Sequence, residues 1–268
     1  MHYYVTMQHD VGVIIPTFNR PLETKRALDS VFNQTFPPQQ IVIIDDGSDA
    51  ESLAKLQDLI SDLPVTLIKT EHTGHPGIAR NVGLNALNTK WVAFLDSDDA
   101  WISNKLETQL DFAEKYKAKA LCGNAALGGN EKRDNYFVGT KNSKFSLNNL
   151  LADNRVITSS VFVDRELLLS VDGIATSFSS RGAEDYATWL RIATLTKWFY
   201  IGKPISIYYN DSPDSFRTTG GFSQNYVRYF GLLDFQSWLE SKGNSRTWLV
   251  RLYLKGLSII MNISMKLK

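Results

Sequence analysis

Four short apolar runs, each followed by a stretch of helical periodicity, restrict what the first 120 residues can become. "VGVIIP" (11–16), "QIVIID" (40–45), "VTLIK" (65–69) and "WVAFLD" (91–96) are rich in β-branched residues, the pattern of parallel strands buried on both faces. Between them, "PLETKRALDSVFNQTF" opens on a proline suited to a first helical turn and sets Leu22, Ala27, Leu28, Val31 and Phe32 on one side. "ESLAKLQDLISDL" and "PGIARNVGLNALN" repeat the pattern. Strand, helix, strand at this spacing requires right-handed crossovers and predicts a doubly wound α/β layer. Ligands of such sheets bind beyond the carboxyl ends of the strands. "TFNR", "DDGS" and "DSDD" each follow a predicted strand, so three polar clusters are expected on one edge.

The alternation stops after about residue 120. "LGGNEKRDN" is a Gly- and charge-rich turn, and "VITSSVFVD" reads as a strand. "GAEDYATWLRIATL" reads as an amphipathic helix with Glu184 and Asp185 at its start, where the dipole favours acids. A strand, "PISIYY", leads into the loop "NDSPDSFRTTGGFSQ", which has a ligand-covering composition. The last 28 residues hold six Lys or Arg and no acid, and "SRTWLVRLYLKGLSIIMNISMKLK" reads as a basic amphipathic helix. Such a helix either lies in an anionic membrane interface or packs on the domain with its basic face solvated.

Charge and cysteine content exclude several classes. Lys plus Arg (29) balances Asp plus Glu (28), so nothing global points to nucleic acid. The single cysteine, Cys122, cannot form an intramolecular disulfide, and no Cys/His cluster offers a zinc site. No apolar run approaches the ~18 residues of a membrane span, and the first residues lack a signal-peptide pattern. A cytoplasmic protein is expected, one able to touch the inner face of the membrane.

Asp96, Asp98 and Asp99 crowd one strand end, where a cation or protons must relieve their repulsion. Hard oxygen ligands favour Mg²⁺ or Mn²⁺. The alternative is a solvated turn capping a helix near Ser103. The flanking aromatics favour a pocket floor, with Trp101 placed to close over a ligand. "IVIIDDGSD" also reads two ways: an Asp-Gly turn with Ser48 or Asp49 as a helix cap, or part of a site. In "GHPGIARN", glycines and proline punctuate a helix start that, with Arg80, also suits an anion.

In their order, "VIIPTFNR", "QTFPPQQIVIIDDGSDA", "GHPGIARNVGLNAL", "WVAFLDSDDAW" and "GAEDYATWLRI" resemble the A-fold enzymes of glycosyltransferase family 2, from Val11 to about Ser215. The resemblance implies a Rossmann-like doubly wound mixed sheet with a C-terminal helical extension. It divides the chain into a catalytic domain (1–220, with a nucleotide-sugar-binding half, 1–120, and an acceptor-side half, 121–220) and an extension (221–268). It implies transfer of a sugar, with inversion, from a nucleotide diphosphate, UDP by family frequency, to an acceptor hydroxyl, usually with Mn²⁺ or Mg²⁺. The acceptor expected is a glycan or lipid-linked oligosaccharide of bacterial surface polysaccharide.

By the same resemblance, Pro16, Thr17 and Phe18 lodge the base and ribose, and Asp46 reads the base edge. Arg80 lies near base and phosphates, Asp96 near the ribose and Asp98 at the metal, with Asp99 either assisting or taking over as ligand. Trp101 and Glu184 join the donor-binding set, and Asp185 is the general base. Two positions depart from the family. Phe18 replaces a frequent tyrosine. No histidine follows "ISIYY", since His2, His9, His72 and His75 all lie early; either Asp211, Asp214 or Arg217 substitutes, or the site uses fewer protein ligands.

Two other classes share single features with this chain. A haloacid dehalogenase phosphatase also sets a DxD after a strand, but expects Thr or Val where Ala100 stands, and an early strand rather than the fourth. A non-catalytic sugar-nucleotide-binding or scaffold subunit would not need Asp185.

Overall fold

The computed structural model describes residues 10–128, 135–209 and 224–266. Asp211, Asp214, Arg217 and nearly all of the loop 210–224 lie outside them, as does most of the turn "LGGNEKRDN". Seven elements alternate as the periodicity predicts: β1 (Val11–Thr17), α1 (Pro21–Phe32), β2 (Gln40–Asp45), α2 (Ala50–Ile60), β3 (Thr66–Lys69), α3 (Pro76–Ala86) and β4 (Trp91–Phe94). There follow β5 (Ala100–Trp101), α4 (Lys105–Tyr116), β6 (Ala120–Leu127), β7 (Ser143–Phe145), α5 (Leu147–Ala152), β8 (Phe162–Asp164) and α6 (Arg165–Leu169). Then come α7 (Glu184–Ala193), β9 (Trp198–Tyr208), α8 (Gln224–Ser241) and α9 (Thr247–Lys266).

One mixed sheet takes the order β3-β2-β1-β4-β8-β6-β9-β5, with β7 also paired to β9. The first four strands are parallel, and β8 runs antiparallel between β4 and β6. Alternation along each parallel strand builds two cores. Val11, Val13 and Ile15 of β1 join Ile41 and Ile43 of β2 on the face covered by α1 and α2, while Ile14, Val42 and Ile44 join the opposite core. Each such buried Ile or Val contributes roughly 1.5–3 kcal/mol relative to exposure. With both faces filled, a one-residue slip exchanges the two sets and gains nothing, so register is held by size and shape on each side.

The register explains why the polar clusters meet. Thr17 pairs with Asp45, and Ile14 with Phe94, so "TFNR", "DDGS" and "DSDD" leave the same edge of the sheet. Three local expectations need correcting. In α1 the packed face is Thr24, Ala27, Leu28 and Val31, while Leu22 and Phe32 lie on the exposed side. "VITSS" is not strand: Thr158–Ser160 form a 3-10 turn, because their three hydroxyls find partners that a ladder would deny them. The strand read as "PISIYY" begins at Trp198, its first half pairing with β7 and its second with β5.

Cys122 is buried in β6, and burial pushes its thiol well above the usual range. On the far side of α7, Leu232, Phe235 and Leu239 of α8 and Val250, Leu254 and Leu257 of α9 extend the core that contains Ile14. The C-terminal helix thus packs on the domain, yet Trp248, Leu252, Ile259 and Ile260 remain exposed. Among the described residues, no helix is long and apolar enough to cross a membrane.

Candidate active site

The first two loops are tied together before any ligand is considered. Asn19, at φ +53°, donates its backbone N–H to Ser48 Oγ (2.8 Å), and its side-chain oxygen accepts from Asp49 N–H (2.9 Å). Asp49 in turn caps α2 through Ser52 N–H. The Asp-Gly turn and the site are therefore the same structure. Gly47 takes φ +72°, and a Cβ there would stand 2.5 Å from the backbone nitrogen of His72, so glycine alone allows that close approach.

Around this turn the expected base-binding residues separate by role. Pro16 and the buried Thr17 belong to β1, and Thr17 spends its hydroxyl on Thr24 (2.7 Å). Phe18 is 40% exposed, and its ring stacks on His72 with centroids 4.1 Å apart and planes at 25°. Asp46 accepts from Thr73 N–H (3.0 Å), Thr73 Oγ1 (2.9 Å) and Gly74 N–H (2.9 Å), while its carbonyl oxygen lies 2.8 Å from His72 Nδ1. Asp46 thus shapes the 72–74 loop that faces Phe18. His72 was not singled out from the sequence; the only available signal was an imidazole in a loop otherwise made of small and polar residues.

The three aspartates of "DSDD" occupy three different environments. The side chain of Asp96 is 33% exposed and that of Asp98 21%, whereas Asp99 is only 3% exposed. Arg20 donates to Asp98 (2.7 Å), and Arg26 donates to the Asp98 carbonyl (2.7 Å). Burial raises the Asp98 carboxyl above its ordinary range, Asp96 adds to the rise, and Arg20 opposes it. Asp99 is bonded to the Ser159 hydroxyl, and its other oxygen is buried without a partner among the described residues. Burial, then Asp96, holds it well above the usual carboxylate range. Asp99 therefore anchors the loop through Ser159 while its second oxygen stays without a hydrogen-bond partner among the described residues.

The expectation for Trp101 is corrected. It is 3% exposed, its indole N–H donates to the Ser159 carbonyl (2.8 Å), and Lys105 lies 4.1 Å over its ring. The ring lies in the core behind the loop and closes over nothing, because β5 pairs with β9 here and turns it inward. Nor do the aspartates cap a helix, since α4 starts only at Lys105 with Asn104 before it.

Arg80 joins the distant halves of the site. From the first turns of α3 its guanidinium reaches Asp96 (2.7 Å) and Glu184 (2.9 Å), at 5% exposure. Burial opposes that charge, but Asp96 and Glu184 outweigh it and hold Arg80 above its ordinary range. The second oxygen of Glu184 accepts from Gly182 N–H (2.8 Å). Asp185 then accepts from Thr158 Oγ1 (2.9 Å) and from Tyr186 N–H (2.6 Å). Burial first and Glu184 second push its carboxyl up to about 6, with Arg80 pulling the other way.

The turn 158–160 is the part that sequence reading missed. Thr158 bonds Asp185, Ser159 bonds Asp99 and receives Asp96 N–H (3.2 Å), and Ser160 receives Gly123 N–H (3.0 Å). A second brace lies behind α7: Asp234 of α8 accepts from Arg191 and from Ser177.

Among the described residues no three His, Cys, Asp or Glu side chains form a ready metal shell. Asp96 and Asp98 nevertheless offer hard, partly exposed oxygens, Arg80 bonding one oxygen of the first and Arg20 one oxygen of the second. That donor set fits Mg²⁺ or Mn²⁺, ions that keep several waters and complete their shell with phosphate oxygens.

A family profile described as "Glycosyl transferase family 2" matches residues 12–163. The chain is 31% identical to the UDP-Glc:alpha-D-GlcNAc-diphosphoundecaprenol beta-1,3-glucosyltransferase WfgD of Escherichia coli, over 68% of this chain and 69% of that one. It is 30% identical to the GalNAc(5)-diNAcBac-PP-undecaprenol beta-1,3-glucosyltransferase of Campylobacter jejuni, over 87% of this chain and 74% of that one. Among solved structures, S. aureus TarS 1–349 with UDP-GlcNAc superposes with a TM-score of 0.68 at 19% identity, over 85% of this chain and 66% of that one. The chain spans 39% of a longer TarS structure. The mannosyltransferase PcManGT of Pyrobaculum calidifontis, with GDP-Man and Mn²⁺, gives 0.62 at 18% identity, over 97% of this chain and 76% of that one. At such identities these structures establish the shared fold.

Proposed function

The chain belongs to glycosyltransferase family 2, and from that premise we propose that it moves a sugar, with inversion, from a UDP-sugar to a hydroxyl on a lipid-diphosphate-linked glycan of bacterial surface polysaccharide. The observation that carries this reading is Arg80, which binds Asp96 with one nitrogen and Glu184 with another and so sets the donor-side acids beside Asp185. The donor and acceptor classes are supported by the names of two relatives, one of which uses UDP-Glc and both of which act on undecaprenol diphosphate carriers.

In this mechanism Phe18 offers its exposed ring to the base, and the Asp46-shaped loop bounds the base edge. Arg80, with Asp96, lies toward ribose and phosphates. Asp98 and Asp96 would hold Mg²⁺ or Mn²⁺, which when bound supplies positive charge against the departing diphosphate. On the opposite face of the sugar, Asp185 accepts the proton of the attacking hydroxyl while the anomeric C–O bond to the β-phosphate breaks and the new C–O bond forms. Attack from that face inverts the centre, so an α-linked donor yields a β-linked product. Thr158 fixes one oxygen of Asp185 and leaves the group oriented for a single proton transfer. The exposed Trp248, Leu252 and Ile259, with the basic residues of α9, support peripheral contact with the membrane that would carry such an acceptor.

Calorimetric titration with UDP, GDP, dTDP and CDP, with and without Mn²⁺, tests the donor assignment. UDP is expected to bind with Mn²⁺, and Asp98→Ala to abolish the metal-dependent part. Equal binding by the variant would remove Asp98 from the metal site. Binding without transfer to any lipid-linked acceptor would favour a scaffold subunit.

A further inference from the structure

An apolar groove of about 360 Å³ follows one side of α9. Leu249, Leu252, Tyr253, Gly256 and Ile260 recur three and four residues apart and share a stripe, which Arg228 of α8 faces. No acid lines it among the described residues. The groove runs along the border of the packed face: Leu257 lines it and enters the core with Val250 and Leu254, and Leu249 and Tyr253 pack partly against that core.

Two observations give the groove a direction and a purpose. Arg228 donates to the carbonyls of Leu151 (3.2 Å) and Ala152 (2.6 Å), and the Tyr186 hydroxyl donates to the neighbouring carbonyl of Leu150 (2.8 Å). The cation of the groove therefore abuts the same turn of α5 as the residue that follows Asp185. The second observation is Gly256. Among the described residues a Cβ built there meets nothing within 4 Å, so none of them requires glycine at this position, and in mid-helix it is unfavourable. Its effect is to keep the middle of the stripe open.

We propose that this groove receives the polyisoprenyl chain of a diphosphate-linked acceptor, with the hydrocarbon along α9 and the diphosphate end toward Arg228. The proposal rests on the lipid-linked acceptor argued above and adds the place where the lipid is held. A chain that is hydrocarbon along its length and anionic at one end matches an apolar stripe with one cation and no acid. Bilayer acyl chains or a second copy would cover the same stripe, but neither needs an open slot at Gly256 or a cation beside the helix of Asp185.

The test is calorimetry on the full chain with geranylgeranyl diphosphate and with inorganic diphosphate, for wild type, Gly256→Ala and Gly256→Phe. UDP with Mn²⁺ is titrated into each protein in parallel. Wild type and Gly256→Ala are expected to bind geranylgeranyl diphosphate more tightly than inorganic diphosphate. Gly256→Phe, whose ring would fill the slot, should weaken only the isoprenoid, by about tenfold or more. Equal isoprenoid binding by Gly256→Phe, or no preference of wild type for the isoprenoid, overturns the groove. So does capture of wild type by phosphatidylglycerol vesicles without that preference, or a dimer that Gly256→Phe dissociates; these assign the stripe to bilayer or self-association. Absence of UDP binding in every protein, wild type included, would instead count against the UDP-sugar donor proposed above.

Discussion

Asp185→Asn is expected to reduce sugar transfer by about 10²–10⁴-fold, the usual contribution of a positioned general base, while leaving UDP binding unchanged. The amide keeps the size of the side chain and can still accept from Thr158 or Tyr186 N–H, so the geometry around the 158–160 turn survives. What disappears is a group able to take the acceptor's proton. The pH profile supplies an independent readout. With its carboxyl pushed up to about 6, Asp185 is ionised above that pH and protonated below it. The wild-type kcat/KM should therefore fall about tenfold per pH unit on the acid side of that value. In the Asn variant the residual rate should lose this limb. Transfer within about tenfold of wild type, or an unchanged acid limb, would remove Asp185 from the role of base.

The parts of this site that were readable and those that were not differ in a physical way. β1, β2 and β4 were legible because a strand buried on both faces has little freedom to be polar, whereas β3, at the sheet edge, is only partly buried and was read from its short apolar run alone. The placement of Asp46, Asp96, Asp98 and Asp185 was legible because each follows a strand end or opens a helix in a fixed order, while the role of each belongs to the proposal above. Trp101 was misread because an aromatic beside an acidic cluster looks the same in sequence whether it floors a pocket or fills a core; only the pairing of β5 with β9 decides. Ser159 was missed for the opposite reason. Three hydroxyl residues between Ile157 and Val161 fit a strand locally, and their value lies in partners 27 to 63 residues away in the chain. Asp99 carried the same ambiguity: its neighbours in sequence are acids, but its neighbour in space is a serine.

Arg80→Met should be the most destabilising single change in the site. The guanidinium is buried with Glu184, whose side chain is equally buried, and removing one member of such a pair strands the other charge. That loss costs on the order of 3–5 kcal/mol and should lower Tm by roughly 10 °C or more. Asp96 contributes less to the loss, because its side chain is 33% exposed and water can solvate it. A second consequence separates this from general destabilisation. Arg80 is among the groups that hold the Asp185 carboxyl down, so its removal should move the acid limb of kcat/KM from about 6 toward neutral pH. Arg80→Lys keeps a positive charge but not the fork that reaches two carboxylates at once. It should recover most of the pH profile and only part of the stability. If Arg80→Met melted like wild type and kept its acid limb, Arg80 would not be the link between the donor acids and the base.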